Sequence, residues 1–359
     1  MERYFARYEF NVKYLLSSSD CDGFSMQYVL NAAEHGELKL WDSLTLGYTD
    51  SLGHPLLREA ISKHYNSIKP DEVFVLSPGE ANFILMNVLL KPGDEVVCMR
   101  PAYQSLYQVA SSLGCNLVHW EMTADGSYNT DDLSKLVTSK TRMLIVNFPH
   151  NPTGYYPSKE ELNRIIEIAR KNNTFIFSDE MYHKLVDDPA HLNDSMADLY
   201  ENCISLWGTA KSFGLAGLRI GWVVTHNREL LAKMQHYKDY FTICNSAPAE
   251  VLTMIALNNS EKFIEVNLTK IRENKKHFAA FVNRHPQIFP SYKETSAGST
   301  AFVELNTGKA TLQYAEELVQ ETGIMLVPAE MFEYGQKHIR IGFGRANMPD
   351  ALSVWESTF

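Results

Sequence analysis

Cysteine is sparse and irregularly placed in this chain of 359 residues. Cys21, Cys98, Cys115, Cys203 and Cys244 are odd in number, with no CxxC pair and no Cys/His spacing suited to a metal. A disulfide framework and a zinc site are therefore not expected, and reduced thiols point to the cytoplasm. Basic excess is missing too: the formal net charge is −10, so no nucleic-acid footprint is expected and any anionic ligand needs a locally basic site. The opening MERYFARYEFNVKYLLSSSD has no apolar run long enough for a signal segment, and no later run approaches a membrane span. A phosphate-binding P-loop is excluded because Ala210, not glycine, precedes Lys211 and Ser212. A dinucleotide fingerprint is excluded as well, since the one GxG, Gly342 to Gly344, follows the last apolar run rather than the first. Repeats, low-complexity tracts and flexible linkers are also lacking.

What is present is alternation. From residue 73 onward, β-branched apolar runs (VFVLS, EVVCM, NLVHW, RMLIVNF, TFIFSDE, CISLW, RIGWVV) are separated by helical stretches such as 82–90, 104–113 and 159–171. Strands that read as continuous apolar runs are buried on both faces, which predicts an α/β fold with a mostly parallel central sheet covered by helices. Earlier, a short amphipathic helix is expected near 26–34 and another after the turn at 50–55. Long helical segments over 228–257 and 261–283 then lead to a smaller α+β unit with strands TAFVELN, GIMLVP and HIRIGF. Ligands of such sheets bind beyond the carboxyl ends of the strands, so the residues just after each run carry the information.

The stretch ISLWGTAKSFGLAGLRIGWVV sets one lysine, Lys211, in a turn between an apolar strand 203–207 and a second strand read as 219–224. Burial disfavours an ammonium, and a lysine so placed can serve as a Schiff-base amine. Taken alone, the stretch is equally compatible with an exposed loop lysine. Arg219, eight positions on, is placed to hold an anion. The other strand ends read PGEA, RPAY, PHNPTG and DEMY. In isolation Asp179 is a helix N-cap ahead of 181–185, Asn151 a turn residue, and Tyr103 and Tyr182 packed aromatics.

In this order and spacing, NPTG, DEMY, the lysine segment and the C-terminal RIGF resemble the class I/II aminotransferases of fold type I pyridoxal-phosphate enzymes, over about residues 45 to 345. The resemblance implies pyridoxal 5'-phosphate as cofactor, with Lys211 as its Schiff-base lysine and Asp179 as the carboxylate facing the pyridine nitrogen. It assigns Asn151 and Tyr182 to the phenolic oxygen, Asn151 to the substrate as well, and Tyr103 to the ring face. Gly79, Glu80, Ala81 and Arg219 fall to the phosphate, with the Glu80 carboxylate pointing outward. Arg340 matches the arginine that pairs with a substrate carboxylate, Arg345 being a competitor outside the strand. Tyr48 matches a tyrosine that reaches the phosphate of a neighbouring subunit, which implies a homodimer. The expected activity is that of an enzyme on a free α-amino acid, through an external aldimine and a Cα carbanion, most simply an aminotransferase. The expected division is a large cofactor-binding domain over 45–257 and a small one from 1–44 with 258–359, whose N-terminal segment belongs to the active site.

Two features depart from that pattern. Relatives place serines three and one residues before the lysine; here Gly208 and Ala210 stand there, leaving Thr209 as the one hydroxyl for the phosphate. The N-terminal YLLSSSDCDGFSMQYVL instead is similar to capreomycidine-synthase-like enzymes, which eliminate water from hydroxyarginine and cyclise the guanidine. On that alternative, Asp20 and Asp22 supply carboxylates to a guanidinium; read as composition alone, they are a solvated turn.

Overall fold

The computed structural model describes residues 1–359. A short strand β1 (Tyr14–Leu15) precedes the central sheet, whose seven strands are β2 (Val73–Leu76), β3 (Glu95–Arg100), β4 (Asn116–Glu121), β5 (Thr141–Asn147), β6 (Phe175–Asp179), β7 (Cys203–Gly208) and β8 (Gly221–Val224). Their order is β2-β8-β7-β6-β5-β3-β4, parallel throughout except that β8 runs antiparallel to both neighbours. All residues of β2, β6, β7 and β8 are buried, as expected for strands covered by helices on both faces. Helix Lys159–Asn172 shows how local sequence fixes a boundary. Ser158 and Glu161 form a reciprocal capping box, Leu162, Ile165, Ile166 and Ala169 are buried along one face, and Asn173 ends the helix in the left-handed region.

A 25-residue helix, Ser260–Arg284, carries the chain to a second sheet of β9 (Thr300–Glu304), β11 (Val327–Pro328) and β12 (His338–Gly342), in the order β11-β12-β9. The intervening β10 (Ile324–Met325) pairs in parallel with β1, so the N-terminal chain is stitched to the C-terminal part. No helix is long and apolar enough to cross a membrane.

Several expected boundaries move, each for a local reason. The helix placed at 82–90 is Pro78–Leu89, because proline suits the first turn, where its missing N–H has no partner to lose. The stretch 104–113 divides into a 3-10 turn, Gln104–Leu106, and helix Gln108–Ser112. The stretch 26–34 is a helix over Met26–Leu30, with another at His35–Asp42. The segment 228–257 is two helices, Arg228–Lys238 and Ala247–Asn258; Pro248, in the first turn of the second, has no N–H to donate to a carbonyl of an earlier turn, so the helix starts there instead of running through. Residues 181–185 form turns rather than a helix. Arg219 is not in a strand: it sits in the left-handed region, φ 55°, ending the 3-10 turn Ala216–Leu218.

Candidate active site

The carboxyl ends of β5, β6 and β7 open into one cavity of about 740 Å³. It is lined by Lys211, Asp179, Tyr182, Asn151, Arg219, Arg340, Tyr103, Gly79 and Asp20, nine residues that are dispersed in sequence. Asp179 ends β6 and is buried; one of its oxygens accepts the Met181 N–H at 3.0 Å, the bond of an N-cap although no helix follows. Burial pushes this carboxyl up to about 7, against the pull of the Met181 amide. A cation placed beside it would restore the carboxylate, so the group is built for a positively charged partner.

Lys211 lies in the turn after β7 and donates from Nζ to the Ser19 hydroxyl at 2.9 Å. Burial lowers its pKa, Asp20 opposes that, and Arg340 and Arg219 add to it. Burial likewise pushes the Tyr182 hydroxyl up, so it remains a neutral donor.

The amides of Gly79 and Glu80 open helix Pro78–Leu89 without backbone partners, and the Arg219 guanidinium shares the cavity with Gly79. This combination of helix N-terminus and cation suits a phosphate. Two expected phosphate ligands are not available. The Ala81 amide already donates to the Ser77 carbonyl at 2.9 Å, closing the first helical turn, and its side chain is buried in the core. The Thr209 hydroxyl donates to the carbonyls of Leu215 and Ile220, so it closes its own loop instead. The Glu80 carboxylate accepts from Thr242 outside the cavity, the outward direction expected for it. Gly208 has a steric cause: a Cβ there would stand 2.9 Å from the Gly221 Cα across β7 and β8, so a serine fits only if the two strands shift apart.

At the opposite end, Arg340 projects from β12, 2% exposed, donating to Asn151 Oδ1 at 3.0 Å and the Ser17 carbonyl at 2.6 Å. Two of its five N–H groups are engaged, and Nε has no partner. Arg345 is held down by Asp20 at 3.1 Å and the Ser18 hydroxyl at 3.0 Å. Asp22, expected to face a substrate, does not line the cavity; it accepts from Lys270 and the Ala346 amide, both at 2.8 Å. Tyr48 also lies away from the cavity, 88% exposed.

The sequence places the N-terminal segment and Asp20 at the active site, but not Ser19 or the helix over residues 2–8, which share its roof. The segment 16–22 crosses the end of β12, where the Gly342 amide donates to the Leu16 carbonyl and the Asp22 amide to the Gly344 carbonyl. A Cβ on Gly342 would strike the Ser18 carbonyl, and one on Gly344 the Asp20 carbonyl. That GxG is a seat for the crossing segment, and it brings Ser19 to Lys211. Helix α1 (Glu2–Tyr8) completes the roof: the Tyr4 hydroxyl bonds the Leu326 carbonyl, and Glu2 accepts from Tyr103. Phe5, Glu9 and Phe10 line the cavity from this side. The GxG spacing and the stretch YLLSSSDCDGFSMQYVL were the signals for the crossing segment, whereas a seven-residue helix has no pattern of its own.

The model of the family "aminotransferase class I and II" matches residues 11–353. Capreomycidine synthase from Streptomyces vinaceus is 27% identical over 322 residues, covering 86% of this chain and 82% of that protein. The aspartate aminotransferase of Sulfolobus acidocaldarius is 28% identical over 340 residues, covering 85% and 80%. Among solved structures, a PLP-dependent aminotransferase from Streptococcus suis superposes with a TM-score of 0.91 at 24% identity, covering 99% and 96% of the two chains. A PLP-dependent cyclase, OrfR, gives 0.90 at 25% identity, covering 99% and 95%. The cofactor these matches imply, pyridoxal 5'-phosphate, fits the residues present: a buried carboxylate lacking a cation, an amine, and a helix start with an arginine meet in one cavity. The chain is a pyridoxal 5'-phosphate-dependent enzyme belonging to the aminotransferase class I and II family.

Proposed function

We propose that this enzyme transfers the amino group of a free α-amino acid to a keto acid. The observation that carries the reading is the convergence of Lys211, Asp179 and Arg340 on one cavity, with the Lys211 amine held only by a hydroxyl. Pyridoxal 5'-phosphate, when bound, supplies the electron sink for the negative charge left at Cα. Asp179 would keep its ring nitrogen protonated, Asn151 and Tyr182 would face its phenolic oxygen, and Tyr103 would cover the ring. The Gly79 and Glu80 amides and Arg219 would hold its phosphate. Arg340 receives the substrate carboxylate through its free N–H groups, which fixes the orientation of Cα. The Lys211 amine, its pKa lowered, takes the proton from Cα and returns it, as a positioned general base does.

The reading extends to a cytoplasmic homodimer in which Tyr48 reaches the neighbouring copy's phosphate. Its support is the exposure of Leu46, Tyr48, Tyr240 and Phe241. It also divides the chain into residues 45–257 and a smaller unit of 1–44 with 258–359, supported by the pairing of β1 with β10.

A second reading, elimination and cyclisation of a hydroxyarginine-type substrate, is favoured by the Ser19–Asp20 roof and by the similarity to capreomycidine synthase. Incubation with amino acids, hydroxyarginine included, with and without a keto acid separates the two. Turnover that requires the acceptor in equal amount supports transfer; a cyclic product formed without it refutes transfer.

A further inference from the structure

The Lys211 amine has a single hydrogen-bond partner, the Ser19 hydroxyl at 2.9 Å, which lies 192 residues away in sequence. The hydroxyls next to the lysine are spent or missing. Thr209 donates to the carbonyls of Leu215 and Ile220, Ser212 donates to the His183 carbonyl at 2.6 Å, and residue 210 is alanine. A lysine ends a flexible four-carbon stem, so this one bond decides where its nitrogen stands.

Ser19 is itself fixed without using that hydroxyl. Ser299 Oγ donates to its carbonyl at 2.6 Å, and the residues around it are fastened one by one. Arg340 donates to the Ser17 carbonyl at 2.6 Å, and Arg345 to the Ser18 hydroxyl at 3.0 Å and to Asp20 at 3.1 Å. The backbone therefore holds Ser19 in place, and its side chain is left for the lysine. Burial raises the Tyr182 hydroxyl, while Arg340 and a hydrogen bond from Ser19 act against that, so the serine stands beside both the amine and the phenol. All three residues line the one cavity.

We propose that Ser19 is the positioning residue of the reactive lysine: its hydroxyl holds Nζ of Lys211 in the orientation from which the amine reacts with the cofactor. This rests on the active-site roles of the preceding section. The charged groups facing Lys211 are Asp179 from β6, Asp20 and Glu9 from the roof, Arg219, Arg340 from β12, and Arg345 beyond it. Glu2 and the Met1 ammonium, which donates to Gln104, line the same cavity with the phenols of Tyr103 and Tyr182. All of these remain in a Ser19 variant. A hydroxyl oxygen accepts more strongly from an ammonium than from a neutral amine, so removing it lowers the Lys211 pKa below its already lowered value.

Two measurements on wild type, Ser19→Ala and Ser19→Thr test this. In the apo protein, trace acetylation across about pH 7 to 11 followed by peptide mapping gives the titration midpoint of Lys211. Saturating pyridoxal 5'-phosphate is then added at a pH above every midpoint, where the amine is neutral in each protein. The rise of visible absorbance there gives the rate at which the amine nitrogen bonds the aldehyde carbon and its oxygen leaves as water. Ser19→Ala is expected to lower the midpoint by about half a pH unit or more and to slow the rise about tenfold, with the same final absorbance. Ser19→Thr keeps the hydroxyl and is expected to behave as wild type in both. A midpoint or rate that is unchanged or moves the other way in Ser19→Ala, or Ser19→Thr as impaired as Ser19→Ala, overturns the proposal. Full absorbance carried by Lys211 with those results refutes the role of Ser19 alone; absorbance that never develops in wild type, or that is carried by another lysine, refutes the active-site roles as well.

Discussion

Asp179 gives the sharpest prediction, because its environment is costly to it until a cation arrives. In the cofactor-free protein its carboxyl is raised from 3.8 to about 7, chiefly by burial. A carboxyl whose folded pKa lies above its unfolded value contributes stability that is complete below the unfolded value and is lost as pH rises to the folded one. Each pH unit between the two removes about 1.4 kcal/mol, so from pH 5 to pH 8 the apo protein loses about 3 kcal/mol through this group. Asp179→Asn has no proton to lose there and keeps a neutral side chain of similar shape. Urea unfolding of both apo proteins at pH 5 and pH 8 isolates the group, since all other titrations are shared. Asp179→Asn is expected to gain about 3 kcal/mol on wild type over that interval. With pyridoxal 5'-phosphate bound, the order reverses, because wild type then pairs its carboxylate with the ring nitrogen. Parallel pH profiles for the two apo proteins would refute the claim that Asp179 is buried without a cation.

Two further substitutions probe the frame around it. Gly208→Ser, which restores the hydroxyl found in relatives, forces a Cβ against the Gly221 Cα and is expected to destabilise by about 1–3 kcal/mol in thermal unfolding, without tightening cofactor binding. Arg340→Lys keeps the charge but loses the fork; KM for the amino acid is expected to rise about a hundredfold while cofactor absorbance is retained.

The strand ends were legible because each is a continuous apolar run followed by a polar residue, and that arithmetic survives without coordinates. Asp179, Asn151 and Lys211 stand just after such runs, whereas Arg219 and Arg340 were assigned by the resemblance, and the fold places all five at one cavity. Ala81 and Thr209 were misjudged because whether an amide or hydroxyl is free depends on its backbone partners, Ser77 in one case and Leu215 with Ile220 in the other. Asp22 was misjudged for a similar reason: its cation, Lys270, lies 248 residues away. Asp20 and its segment were expected at the site, but Glu9 and Ser19 went unread, because the lie of α1 and of the crossing segment over the cavity depends on Tyr4 meeting Leu326 and on Gly342 and Gly344 leaving room. The glycine at 208 looked like a lost phosphate ligand and is a consequence of packing against Gly221.

The placement of the reactive amine is the claim on which the active site depends, and borohydride reduction of the holoenzyme followed by peptide mapping tests it directly. The account predicts a single modified lysine, Lys211, in the peptide spanning GTAKSFG. Modification at Lys184 instead, whose amine lies outside the cavity and 2.9 Å from His64, would contradict it.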